Sequence, residues 1–147
     1  MSNEKLTDEQ MALSSGLAAF ESKHFADANN LLAPLADAGN AAAQHRCAIM
    51  YQNGLGLVKN ELKAFEWMKA SADQGYPVAM HGIGFMYMQG ECAQKNEAEA
   101  AKWFEKAADA GLAGSAMTLG LMYENGQGVA QDMDKAREWY SKSEQMD

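Results

Sequence analysis

The stretch YENGQGV, residues 123–129, sets two glycines two positions apart behind a Tyr-Glu-Asn run. Such a stretch belongs either to a loop that cradles phosphate or to a tight corner between two elements. A phosphate loop follows a strand and carries Lys and then Ser or Thr into its helix; here Val129, Ala130 and Gln131 follow. Related stretches stand at 87–93 (YMQGECA) and 51–57 (YQNGLGL), each 36 residues from the next. Neither shows the phosphate-loop pattern, so all three are copies of one corner. In the middle copy Cys92 replaces the second glycine, which predicts a corner that is distorted or strained.

The step of 36 extends outward from the corner. It links Met50, Met86 and Met122; Gly39, Gly75 and Gly111; Ala64, Ala100 and Ala136; and all three tryptophans, Trp67, Trp103 and Trp139. Each period reads as two helices, for example from Ala41 to Asn53 and from Glu61 to about Gln74. In the next copy Ala100, Trp103, Phe104 and Ala107 fall at i, i+3, i+4 and i+7, one apolar face. Gly39, Gly75 and Gly111 follow the second helix, where a residue with positive φ closes it. Pro77 suits a first helical turn, where its missing N–H costs nothing. Ala48, Gly84 and Gly120 recur midway along the first helix and predict close helix–helix approach, since an interior glycine lowers helix propensity by about 1 kcal/mol.

Residues 7–39 form a divergent hairpin. Thr7 and Gln10 make a capping box for a helix to about Ser22, and a second helix runs from about Phe25 to Ala38. Pro34 is expected to kink it. Gly16 to Ala28 is 12 residues, against 16 from Gly84 to Ala100, so this first corner is shorter.

The totals exclude several classes. The chain of 147 residues carries a formal charge of −8, which leaves no basic stripe for nucleic acid or an anionic membrane. No apolar run reaches the roughly 18 residues of a membrane span, and the polar start, MSNEKLTDEQ, lacks a secretory pattern. Two cysteines, Cys47 and Cys92, are too few for a disulfide framework and favour the cytoplasm. Cys47 shares its repeat position with Ile83 and Leu119 and is expected to be buried, whereas Cys92 is expected at an oxidisable corner.

Ala116, Leu119, Gly120, Tyr123, Gly126, Gly128, Val129, Asp132, Lys135, Ala136, Trp139 and Tyr140 together resemble the Sel-one-like repeat, a relative of the tetratricopeptide repeat. The resemblance covers residues 40–75, 76–111 and 112–147, with the shorter corner of 7–39 resembling a tetratricopeptide unit. It implies one all-α domain, a right-handed α-solenoid of about four stacked helical hairpins, whose first helices line a concave groove. Mapped onto tetratricopeptide groove positions, the partner-binding residues are Leu13, Leu17 and Phe20, with Glu21, in the first hairpin. His45, Ile49, Gln52 and Asn53 follow in the second, His81, Phe85, Met88 and Gln89 in the third, and Met117, Leu121, Glu124 and Asn125 in the fourth. The position of Ile49, Phe85 and Leu121 serves either groove or core. Asn53, Gln89 and Asn125 either bind or cap, and Met50, Met86 and Met122 are expected in the core.

The resemblance implies a non-catalytic adaptor that holds a peptide or protein, without cofactor or metal. A row of His45, His81 and Met117 lacks the further ligands of a metal site. Some cysteine-rich relatives are associated with β-lactam hydrolysis, but those carry paired cysteines in each repeat, which this chain lacks. A third class is a subunit that assembles through an exposed terminal Trp139–Tyr140 face, giving a monomer or weak dimer. At that end Ser143 and Glu144 replace alanines and predict a solvated cap. Residues 1–6 are a further candidate occupant of the groove. Along the second helices, Glu66–Lys69, Lys102–Glu105 and Glu138–Lys142 are expected as solvated pairs.

Overall fold

The computed structural model describes residues 7–146. Residues 1–6, the start of the polar segment and the candidate groove occupant, lie outside the described residues. Among the described residues the regular elements are eight α-helices: α1 Asp8–Glu21, α2 Phe25–Asp37, α3 Ala41–Asn53, α4 Glu61–Asp73, α5 Pro77–Gln89, α6 Glu97–Asp109, α7 Ala113–Asn125 and α8 Met133–Glu144. This is an all-α repeat fold. No helix among the described residues is long and apolar enough to cross a membrane. The chain packs as two compact units that divide between Ala70 and Ser71, inside α4. In the first, α1 packs on α2, and both contact α3; in the second, α5 packs on α6, α6 on α7 and α7 on α8.

The corners explain why the helices stop where they do. A helix leaves its last carbonyls unpaired, and a left-handed residue just beyond lets following N–H groups turn back to them. Gly54, Gly90 and Gly126 adopt φ of 66°, 70° and 65°, and each donates its N–H to the carbonyl of Met50, Met86 or Met122. Leu55, Glu91 and Gln127 donate to the same carbonyls at 2.9, 3.0 and 2.9 Å. The backbone N–H of Asn60, Asn96 and Asp132 then reaches the carbonyl of Tyr51, Tyr87 and Tyr123 at 2.9, 2.8 and 2.9 Å. The side-chain oxygens of those three residues cap the next helix at the N–H of Lys63, Glu99 and Lys135. One short segment thus satisfies the end of one helix and the start of the next.

The second glycine of the corner meets two demands. Gly56 and Gly128 have φ of 70° and 74°. A Cβ on Gly56 would lie 2.7 Å from the Phe25 carbonyl carbon at the start of α2, and one on Gly128 would strike the Glu97 carbonyl at the start of α6. Cys92 holds the same left-handed conformation, φ 64°. The middle corner is therefore strained rather than distorted, at a cost of about 1–2 kcal/mol for a non-glycine residue. The shorter first corner turns through Lys23 at φ 63°, with His24 N–H on the Ala19 carbonyl at 2.8 Å.

Thr7 and Gln10 form the expected capping box, Pro77 opens α5, and Gly39, Gly75 and Gly111 have φ of 100°, 82° and 97°. Helix α2 continues through Pro34 to Asp37; the proline forfeits one N–H bond to the carbonyl four residues back without ending the helix. Leu32, Met50 and Cys47 fill the first core, and Phe104, Leu119 and Met122 the second. Met50, Met86 and Met122 are all buried, as their shared repeat position predicts. The mid-helix glycines sit under large side chains. A Cβ on Gly16 would lie 2.5 Å from Leu32 Cδ2, on Gly84 3.0 Å from Phe104, and on Gly120 2.5 Å from the Tyr140 ring.

The outer faces depart from expectation in two places. Lys102 reaches back to Glu99 at 3.9 Å, and Lys142 lies 4.4 Å from the Trp139 ring centre, a cation–π contact. Trp139 is only 9% exposed and packs in the second core with Ala116, Leu119 and Met122 of α7, so the expected exposed indole is not present, and Tyr140 is half-buried. Ser143 is also buried and donates its hydroxyl to the Tyr140 carbonyl at 2.6 Å, while Glu144 is exposed.

Gly120→Ala is expected to destabilise the protein by about 1–2 kcal/mol, because overpacking against Tyr140 outweighs the gain in helix propensity. Gly114→Ala, with open space around its Cβ, is expected to be neutral or stabilising by a few tenths of a kcal/mol. Urea denaturation of both variants checks the contrast.

Candidate functional site

The residues mapped to a groove fall on α1 and α3 in the first unit and on α5 and α7 in the second, and the two sets differ. In the first unit Leu13, Leu17 and Phe20 are half-buried and pack on the Leu32–Met50 core. Phe20 meets Phe25 edge-on at 5.6 Å and carries the Arg46 guanidinium 5.8 Å from its ring centre. Glu21 is exposed at the end of α1. On α3, His45, Ile49 and Gln52 are half-buried. Asn53 is exposed and donates its amide to the Ile49 carbonyl of its own helix at 3.1 Å, so it serves the helix end. Most apolar surface in this row is already held by its own chain.

Arg46 lies outside the mapped set because it has no charged counterpart one period on, where Gly82 stands. Its Nη1 donates to His45 Nδ1 at 2.8 Å. Burial, and secondarily the Arg46 charge, lower the His45 pKa to about 4. His45 is therefore neutral at pH 7 and accepts from the guanidinium.

The second unit presents an open apolar face. Phe85 on α5 and Met117 and Leu121 on α7 are 41%, 46% and 46% exposed. Phe85 and Leu121 therefore belong to the surface, not the core. His81 Nδ1 shares a hydrogen bond with Ser115 Oγ at 2.7 Å, tying α5 to α7. Its ring also lies 5.1 Å from that of Phe104, and burial lowers its pKa. Ser115 is fully buried; its counterparts are Ala43 and Ala79, so periodicity alone reads the position as core.

Met88 is half-buried against the second core. Gln89 and Asn125 are exposed at the helix ends, where Gly90 and Gly126 rather than these amides provide the cap. Glu124 turns toward α8: its carboxylate lies 3.5 Å from Tyr140 Oη, and its backbone carbonyl accepts from Gln131 Nε2 at 2.8 Å. Cys47 is 2% exposed and Cys92 half-buried, both as thiols. Among the described residues no three His, Cys, Asp or Glu side chains gather into a metal-binding set.

The repeated corner, the small-residue contacts and the hairpin pairs together define a class of helical repeat protein. The Sel1 repeat family model matches residues 41–76, 77–112 and 115–147, and the chain belongs to this family. Its members generally serve as non-catalytic protein-interaction scaffolds. No curated protein matches the sequence significantly. Among solved structures, the chain is similar to a Sel1 repeat protein from Oxalobacter formigenes at 30% identity and a TM-score of 0.85. That match covers 90% of this chain and 55% of the other. A protective antigen with an SLR fold, present in uropathogenic Escherichia coli strains, matches at 31% identity and a TM-score of 0.87, over 94% of this chain and 30% of that one. This chain thus spans about half or less of the length of these two proteins. Helicobacter pylori cysteine-rich protein B shares the fold at 16% identity and a TM-score of 0.63, with 95% of this chain and 90% of that one covered.

A depressed histidine pKa has a definite sign. His45 has a folded pKa of about 4 against an ordinary 6.5, so its neutral burial contributes fully above pH 6.5. As pH falls toward 4 the unfolded chain takes up a proton that the folded chain refuses, and that contribution is lost. The expected loss is up to about 3 kcal/mol, reduced by solvent screening. His45→Gln should flatten the fall in stability between pH 6.5 and 4, measured by urea denaturation; the part due to His81, shifted in the same direction by burial, should remain.

Proposed function

We propose that the α5–α7 face of the second unit is a docking surface for an apolar segment of a partner protein, and that the chain acts there as a non-catalytic adaptor. The observation that carries this reading is the set of three large apolar side chains, Phe85, Met117 and Leu121, left 41–46% exposed on two helices tied by the His81–Ser115 bond. Adjacent exposed apolar groups on a rigid frame favour protein contact, and a methionine adapts to partners of varied shape. Gln89 and Asn125, exposed at the helix ends, are placed to meet backbone groups of a bound segment. The net charge of −8 disfavours nucleic acid and anionic membrane as the partner. The proposed compartment is the cytoplasm, in keeping with a thiol at Cys47 that serves as an apolar core residue.

The burial of Trp139 leaves little to recommend assembly through the terminal repeat. Phe85→Ala and Leu121→Ala are expected to weaken a partner captured by the wild-type chain at least tenfold, as loss of a buried anchor does at an interface. Helix content should be unchanged and Tm should fall only modestly, because each side chain is already 41–46% exposed. Undiminished affinity in the double variant overturns the assignment. His81→Ala is a poorer probe, since it strips the buried Ser115 hydroxyl of its partner.

A further inference from the structure

The three tryptophans occupy one repeat position, yet their surroundings are not equivalent. Lys106 Nζ lies 4.5 Å from the Trp103 ring centre, and Lys142 Nζ lies 4.4 Å from that of Trp139. Both lysines stand three residues after their indole. Three residues after Trp67 stands Ala70, which has no charge to offer. Trp67 lines a pocket of about 300 Å³ between α2, α3 and α4, at the lower end of the range for ligand sites; Trp103 lines one of about 280 Å³ too, but there Lys106 is itself part of the lining. Asp37, Glu66, Tyr51 and Lys63 also line the Trp67 pocket, with Cys47 beside them.

The charges around the pocket favour a cation. Asp37 and Glu66 bring two carboxylates against the single ammonium of Lys63, which is engaged 5.3 Å from the Tyr51 ring centre. Burial first, and then the Asp37 charge, push the Cys47 thiol pKa up to about 11. Aromatic faces attract ammonium and guanidinium groups, and a nearby carboxylate adds a direct charge partner.

We propose that the Trp67 pocket accepts a cationic side chain, an arginine or lysine of a partner protein, in the role that Lys106 and Lys142 play for the other two indoles. The site lies on α2, α3 and α4 and does not rest on the α5–α7 docking surface, so each proposal stands or fails alone. The incoming alkyl cation lies against Trp67, and its charged end meets Asp37 and Glu66. Lys63 stays on Tyr51 and limits the site to a single charge.

The test uses the full chain, labelled with nitrogen-15, titrated with acetyl-Gly-Arg-Gly-amide or its citrulline analogue, which is neutral and nearly the same shape. Trp67→Phe identifies the Trp67 indole N–H signal among the three. The arginine peptide is expected to move that signal saturably, while citrulline leaves it in place at the same concentration. Asp37→Asn and Glu66→Gln should each weaken binding at least about fivefold. Ala70→Lys, which supplies the cation from the chain itself, should weaken it similarly. The proposal is overturned if citrulline binds as well as arginine, if the Trp67 signal stays fixed under the arginine peptide, or if the three charge-altering variants retain wild-type affinity.

Discussion

A helical hairpin must close one helix and open the next within a few residues, and every carbonyl and N–H freed at the junction needs a partner. This chain meets that demand with one corner used three times. A left-handed glycine returns its N–H to a methionine carbonyl, and a capping Asn or Asp returns its own N–H to a tyrosine carbonyl. The side chain of the same Asn or Asp then holds the first turn of the following helix. Where the second glycine brings the corner onto an earlier helix, at Phe25 and at Glu97, the local turn also becomes a packing contact. Helix length, hairpin pairing and the spacing of the core all depend on this junction.

The repeat sets a lattice of positions without dictating what each does. Leu13, Leu17 and Phe20 on one pair of first helices are drawn into their core, and Arg46 lies over Phe20. On the other pair Phe85, Met117 and Leu121 stay open. The tryptophans diverge in the same way: a lysine one turn later lies on two of the indoles, and an alanine stands there after the third, which shares its pocket with Asp37 and Glu66. Equivalent repeat positions thus share a backbone conformation but not their surroundings.

His45 and His81 show how a polar group is accommodated beside a core. Neither is held as a cation. His45 accepts from Arg46, and His81 is bonded to Ser115, so burial of each ring costs little while it stays neutral. The His81–Ser115 bond also ties α5 to α7, the two helices that carry Phe85, Met117 and Leu121.

The fold was legible in the sequence because its determinants are local and recur: positive φ at Gly54, Gly90 and Gly126, a proline at the first turn of α5, and small residues where helices touch. Cys92 was legible as a strained substitution for the same reason. The mapped site was legible only as a set of positions. Whether Leu17 or Phe85 faces solvent depends on what neighbouring helices place over it, and that is a tertiary property. The same holds for Ser115, whose alanine counterparts conceal its bond to His81, for Trp139, which packs in the second core with α7, and for the pocket at Trp67. A periodic sequence determines backbone conformation and the core positions, since these rest on short-range sterics and hydrogen bonding. Burial and electrostatic environment were decided only when side chains distant in the chain came together in space.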